Sequence, residues 1–166
     1  MKNFYLSTAI AVFLVLFFSR IQGQNVSTNL DQVKLAQVSF VGTWQRNISK
    51  DTIEVSECSQ YGNAFIQNVY LVINGKKSFS YILTYGYSSK EGKFKGYFLY
   101  PSGYYGTWLA SFTSEKKWSG DFVRNFNPEA ITGKFETVLE NPTSMTMIFF
   151  NSSGVKTREF KYSKVK

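Results

Sequence analysis

The chain has 166 residues, and its 19 lysines and arginines outnumber its 11 acidic residues to give a formal net charge of +8. It contains no histidine, which excludes Ser-His-Asp and Cys-His catalysis and histidine-ligated zinc or haem. The single cysteine, Cys58, rules out an internal disulfide and is expected to be a small buried side chain. We therefore predict no catalytic residues, no metal site and no cofactor.

Residues 1–23 have the features of a secretory signal peptide. Lys2 is followed by an apolar run over residues 4–18, and the sequence then turns polar up to the small residue Gly23. A retained membrane anchor needs about 20 apolar residues, and this run is shorter. We expect cleavage near Gly23 and export, to a periplasm or to the medium, of one domain over residues 24–166.

A short helix is expected before the first strand, with Ser27 or Thr28 as its cap and Leu30 and Val33 one turn apart. From Phe40 onward the apolar pattern has a period of two, which is typical of strands. Alternate residues are predicted to share one face of each strand. These residues are Phe40, Gly42, Trp44 and Arg46 in the first strand, and Ile53, Val55 and Glu57 in the second.

The rest of the chain continues as short strands joined by turns. Asn74-Gly75 between two apolar runs predicts a two-residue hairpin, and Asn127-Pro128 is expected to open a loop. About ten strands at this spacing, with no helical pattern between them, predict an all-β fold. Closure of the edges favours a single antiparallel meander β-barrel with a short N-terminal helix.

The segment Gly42-Thr43-Trp44, which follows the expected helix, resembles the Gly-x-Trp motif of the lipocalin and calycin group. The layout is most similar to bacterial exported lipocalin-like domains of unassigned function. Their last strand follows a glycine turn and carries a lysine, an acid and aromatics, which here are Gly154, Lys156, Glu159, Phe160 and Tyr162. This resemblance implies a barrel that Trp44 closes at one end and that holds a ligand.

The arginines of residues 24–166 share strand parity with aromatic residues, whereas several lysines have the opposite parity. If the aromatic faces point inward, the interior contains arginines and few carboxylates, with Glu57 as the expected inward acid and Glu54, Glu136 and Glu140 outside. Arg124 and Arg158 would then bind the acidic group of an amphiphile. The alternative is that they lie at strand ends and extend to water.

These patterns lead to two functional hypotheses. The first is a non-enzymatic exported barrel that binds a small apolar or acidic amphipathic ligand. The second is a secreted or envelope interaction module with a packed barrel and a basic surface for an anionic partner; nucleic acid is not expected as a partner. The structural motif is Gly42 and Trp44. The candidate ligand-binding residues are Arg124, Arg158, Tyr81, Tyr85, Phe98, Trp108, Phe122, Met147 and Tyr162.

Overall fold

The computed structural model describes residues 31–165, which form one helix and ten antiparallel strands. The expected signal peptide and the helix caps at Ser27 and Thr28 lie outside these residues. The elements are α1 (Gln32–Phe40), β1 (Gly42–Ser49), β2 (Thr52–Tyr61), β3 (Ala64–Ile73), β4 (Lys76–Ser88), β5 (Lys93–Leu99), β6 (Tyr105–Ser114), β7 (Lys117–Arg124), β8 (Asn127–Asn141), β9 (Ser144–Asn151) and β10 (Lys156–Lys164).

The strands form a closed meander barrel, which confirms the predicted fold class. Each strand pairs with the next one along the chain, and β10 returns to pair with β1. Trp44 lies opposite Lys164 in this closing pair. The closing pair consists of two residue pairs near the end of β10, so backbone pairing closes the barrel there.

Of two turns predicted from the sequence, one is confirmed and the other lies at different residues. Asn74 and Gly75 both have positive φ angles, of 49° and 77°, which confirms the predicted two-residue turn between β3 and β4. The expected loop at Asn127-Pro128 is wrong, because β8 already begins at Asn127. The chain turns instead at Asn125 and Phe126, whose φ angles are 49° and 59°.

Helix α1 packs at one end of the barrel, which we call the helix end. Asp31 caps the helix, its carboxylate accepting a hydrogen bond of 3.0 Å from the backbone nitrogen of Lys34. The Gln32 side chain bonds both backbone groups of Phe112, at 3.1 and 2.7 Å. Phe40, the last helical residue, lies with its ring centroid 4.5 Å from that of Trp118. The nine-residue α1 of residues 31–165 is too short to cross a membrane.

Side chains fill the interior next to the helix end. Six buried residues form a cluster that we call the aromatic plug: Phe65, Tyr85, Phe94, Trp108, Trp118 and Phe135. Its contacts reach between strands that are not neighbours, since Tyr85 of β4 lies 5.8 Å from Trp118 of β7 between ring centroids. The helix half of the barrel is therefore packed across its width.

Candidate functional site

The opposite end of the barrel, which we call the rim end, is surrounded by the turns at residues 49–52, 73–76, 99–105, 124–127 and 151–156. Partly buried aromatic side chains lie next to one another inside it. This aromatic collar consists of Tyr81, Phe98, Tyr100, Phe122, Phe149 and Phe160. Its rings are partly buried, whereas those of the plug are almost fully buried.

The collar follows the barrel wall from strand to strand. Tyr81 contacts Tyr100 with 4.9 Å between ring centroids, and Tyr100 contacts Phe98 at 5.9 Å. The series continues from Phe98 to Phe122 at 6.3 Å. From there it passes through Phe149 on β9 to Phe160 on β10. With Tyr100 counted with β5, which it follows directly, each contact joins rings on the same strand, on neighbouring strands or on strands two apart. The collar therefore lines the barrel wall.

A glycine allows one collar ring to lie flat against this wall. A Cβ atom on Gly106 would lie only 2.4 Å from Cζ of Phe98. Such a distance is not compatible with the present position of the ring, so the ring occupies the space where a side chain would otherwise project. The Phe98 ring of β5 thus crosses β6 at Gly106, the residue opposite it in the β5–β6 pair.

A partly buried ion pair completes the collar where β1, β2 and β10 meet. The Nε and Nη2 atoms of Arg46 each donate a hydrogen bond of 2.9 Å to one carboxylate oxygen of Glu54. The Tyr162 hydroxyl donates a further bond of 2.8 Å to Glu54 Oε1. The guanidinium carbon of Arg46 lies 3.7 Å from the ring centroid of Phe160. A guanidinium that pairs with a carboxylate through two hydrogen bonds and stacks on an aromatic ring can be accommodated inside a protein.

The electrostatics of this pair are set by burial and by the opposite charge. Burial lowers the pKa of Arg46, but the Glu54 carboxylate and the nearby Tyr162 and Tyr81 raise it more, so the net shift is upward. Burial, followed by the negative charge of Glu54, raises the pKa of Tyr81 and of Tyr162. The Arg46 guanidinium therefore stays charged and both phenols stay neutral at ordinary pH.

The sequence assigned the acids of β2 to the wrong faces. Glu54 was expected outside and is 5% exposed, whereas Glu57 was expected inside and pairs with Lys77 at 2.6 Å, its side chain 42% exposed. The alternation of Ile53 and Val55 in the sequence predicts that their side chains face inward. They lie on the outer face, where Ile53 is opposite Val72 and Val55 opposite Tyr70 in the β2–β3 pair.

Arg124 and Arg158, the two arginines predicted to bind an acidic group, are both exposed at the rim end. Arg158 lies opposite Phe149 in the β9–β10 pair. Burial and the negative charge of Glu54 raise the pKa of Tyr100, and the positive charge of Arg158 partly offsets this increase. Neither arginine forms an ion pair with any residue between 31 and 165. Their positions match the alternative expectation, in which both arginines lie at strand ends and extend to water.

The other candidate residues divide between the two halves of the barrel. Tyr85 and Trp108 belong to the plug, with 5.3 Å between their ring centroids. Tyr81, Phe98 and Phe122 belong to the collar, and Tyr162 bonds the ion pair beside it. Met147 is partly buried and lies opposite Phe160 in β10 and Thr137 in β8. At the helix end, Trp44 is 2% exposed and its indole donates a 3.2 Å bond to the Phe40 carbonyl, while Gly42 has a φ of 121°.

Sequence reasoning did not select Tyr100, Phe149, Phe160 or Glu54 for the site. For Phe160 a signal was available, because it lies between Glu159 and Lys161, whereas Phe149 lies between the apolar Ile148 and Phe150 and shows only the parity of Met147. For Glu54 the signal was the hairpin register, which places it directly opposite Arg46. Tyr100 follows β5 in a turn, where periodicity carries no information.

Cys58 is buried, with its sulfur 3.6 Å from the Tyr85 hydroxyl. Burial raises the pKa of its thiol, although the Tyr85 hydroxyl and the charge of Lys164 act in the opposite direction. Within residues 31–165 no three His, Cys, Asp or Glu side chains are close enough together to hold a metal ion.

A concavity lies on the outer surface of the barrel. It is an open groove of about 400 Å³ over β6 and β7, and Leu109, Ser111, Ser119 and Asp121 are among the side chains that line it. The small side chains on these two strands leave a depression between larger neighbours such as Phe150. It contains none of the candidate residues.

Comparison with known proteins does not add to this geometry. The sequence matches no protein-family model, and no curated protein matches it significantly. The site must therefore be interpreted from its own residues.

Proposed function

We propose that this protein is a non-enzymatic binding protein whose ligand, a small apolar or amphipathic molecule, is held within the aromatic collar at the rim end. The observation that carries the proposal is the contrast between the two halves of the barrel. The plug fills the helix half, whereas the collar rings lie along the wall and keep part of their surface accessible. Aromatic walls with a few polar groups are typical of small-molecule sites.

The positions of the arginines determine where an acidic group would bind. Arg46 is already neutralised by Glu54, so it offers little attraction to a second carboxylate. Arg124 and Arg158 are exposed, and no acid of residues 31–165 pairs with them. The acidic end of an amphiphile would lie beside them at the rim, where an ion pair contributes about 0.2–1 kcal/mol.

Backbone strain beside Arg124 also supports a site at this end. Phe126 has a φ of 59°, a conformation that is uncommon for bulky side chains. Its backbone nitrogen is held by a 3.2 Å bond to the Thr107 hydroxyl. Strained residues of this kind are concentrated at functional sites.

The same proposal includes export and a lipocalin-like relationship. Export is supported by the apolar run and polar flank within residues 1–23. The relationship is supported by the Gly42-Thr43-Trp44 motif, which follows a short helix and leads into the first strand of a closed barrel. The absence of enzymatic activity is proposed from the lack of histidine and of a nucleophile motif.

The binding test is a fluorescence titration of purified protein with cis-parinaric acid and with the alcohol of the same chain. Phe122→Ala should weaken both probes by at least tenfold, because a buried aromatic side chain contributes about 1.5–3 kcal/mol. Its control is Phe79→Ala, which truncates a ring that is 47% exposed. Arg158→Gln should weaken only the acid, by up to about fivefold at low salt. Lys116→Gln, which removes an exposed charge at the helix end, should weaken neither.

Failure of both probes to bind would contradict the proposal and favour the second candidate function, an interaction module for an anionic partner. The packed helix half and the net charge of +8 are the observations in its favour. In that case the protein should bind vesicles that contain anionic lipid, with an affinity that falls steeply as salt is added.

A further inference from the structure

An ion pair lies on the inner wall of the collar, and both oxygens of its carboxylate already accept hydrogen bonds. Both oxygens of Glu54 accept bonds from Arg46, and Oε1 accepts another from the Tyr162 hydroxyl. Glu54 is 5% exposed. The pair as a whole has no net charge, so it presents hydrogen-bonding groups to the interior without attracting an ion strongly.

The guanidinium of Arg46 keeps donors that nothing else uses. A guanidinium has five N–H groups, and Glu54 takes one from Nε and one from Nη2. The remaining groups, on Nη1 and Nη2, bond no acceptor within residues 31–165. Phe160 lies against the guanidinium plane at 3.7 Å, and the Arg46 side chain keeps 16% of its surface exposed. The free edge of the guanidinium can therefore still be reached.

Two tyrosine hydroxyls of the collar are also without partners in the described part of the chain. Neither Tyr81 nor Tyr100 makes a side-chain hydrogen bond there, and both are partly buried. Their ring centroids are 4.9 Å apart. Tyr81 is close enough to the ion pair for the charges of both Glu54 and Arg46 to act on its phenol.

We propose that the free edge of Arg46 and the hydroxyl of Tyr81 form a polar subsite within the collar that binds a neutral acceptor oxygen of the ligand, such as a carbonyl or hydroxyl group. This inference rests on the proposed binding function and adds the chemistry of the ligand's inner end. A carboxylate would be repelled by the nearby Glu54, and burying it would cost its hydration. A neutral oxygen receives a charge-assisted hydrogen bond at a lower cost of desolvation.

The experiment compares two probes of the same shape, 2-acetylnaphthalene and 2-ethylnaphthalene, which differ by one carbonyl in place of a methylene. Their affinities are measured by calorimetry on the wild-type protein. We expect the ketone to bind about tenfold more tightly, which corresponds to one hydrogen bond to a charged donor. Tyr81→Phe should reduce this preference to about threefold. Tyr70→Phe, on the outer face, is the matched control and should keep the full preference.

The contribution of Arg46 requires a variant that still folds. Removing Arg46 alone would leave Glu54 buried without its partner, so the double variant Arg46→Leu with Glu54→Leu is used. It should also reduce the ketone preference to about threefold, because the Tyr81 hydroxyl is still present. Equal affinities in the wild type, or a full tenfold preference that both variants retain, would overturn the subsite while leaving the collar as a binding site. If neither probe binds the wild type, the binding function itself is overturned, and the subsite with it.

Discussion

Two polar groups in the helix half of the barrel, the indole nitrogen of Trp118 and the hydroxyl of Thr137, are buried without a hydrogen-bond partner among residues 31–165. The two residues lie opposite each other in the β7–β8 pair. A buried hydroxyl with no partner loses its hydration without compensation, which costs about 1–3 kcal/mol. The Arg46–Glu54 pair shows the opposite case, because every oxygen of the carboxylate is bonded.

Thr137→Val is expected to raise the free energy of unfolding by about 1 kcal/mol, because a methyl group replaces a hydroxyl that bonds nothing. Thr107→Val is the matched control. The Thr107 hydroxyl donates to the Val123 carbonyl at 2.6 Å and accepts from Phe126, so this change should cost about 1–2 kcal/mol. Urea denaturation of both variants measures the difference. A loss of stability in Thr137→Val would show that the hydroxyl is satisfied, most simply by an internal water.

At the scale of the strands, glycines on β5 and β6 set the shape of the interior. A Cβ atom on Gly96 would lie 2.2 Å from the Trp108 ring, and one on Gly106 would lie 2.4 Å from the Phe98 ring. Each glycine thus lets an aromatic ring from the neighbouring strand lie against the sheet. In the plug this packs the rings densely, and in the collar it keeps Phe98 on the wall.

Gly106→Ala should therefore affect both stability and binding. The new methyl group displaces Phe98 from the wall into the barrel, so we expect a loss of about 1–3 kcal/mol in the free energy of unfolding. Probe binding in the collar should weaken as well. Gly86→Ala is the control, since its nearest neighbour would be Ala64 Cβ at an ordinary 3.8 Å. If the two variants have equal stability and equal affinity for cis-parinaric acid, Gly106 is not required by the collar.

At the scale of the whole molecule, closure of the barrel surrounds several tyrosines with protein. Burial raises the pKa of Tyr81, Tyr85 and Tyr162 above the ordinary value of 10.0, and Glu54 or Cys58 raises it further. The folded protein therefore keeps these phenols protonated where the unfolded chain would ionise them. Stability from this source is complete below pH 10 and is lost as the pH rises above it, because the unfolded chain then binds fewer protons.

We expect the free energy of unfolding to fall between pH 9 and pH 11 by about 1.4 kcal/mol for each of these three tyrosines. Tyr85→Phe should remove one such contribution and make the pH dependence shallower, whereas Tyr61→Phe, at a residue 63% exposed, should not. Denaturant titrations across this pH range provide the measurement. Identical slopes for wild type and Tyr85→Phe would mean that Tyr85 ionises as easily in the folded protein as in the unfolded chain.

Much of the candidate site could be predicted from residue patterns, but the faces of individual strands could not always be. Alternation within each strand predicted that Tyr81, Phe98 and Phe122 share the inward face, and all three lie in the collar. In β2 both faces are partly apolar, so Ile53 and Val55 suggested the wrong inward face and Glu54 was missed. Arg124 and Arg158 have the parity of aromatic neighbours, but parity does not say how far along the barrel axis a residue lies.

The sequence by itself determined the approximate number of strands, the Asn74-Gly75 turn and the antiparallel meander, because these depend on local periodicity and turn chemistry. Only the tertiary structure decided how the strands pair across the barrel. Closure of the barrel brings Tyr162 and Tyr81 beside the Arg46–Glu54 pair, and separates a filled half from a lined half. These features depend on strand register and on contacts between residues as far apart as Glu54 and Tyr162, which no local pattern specifies.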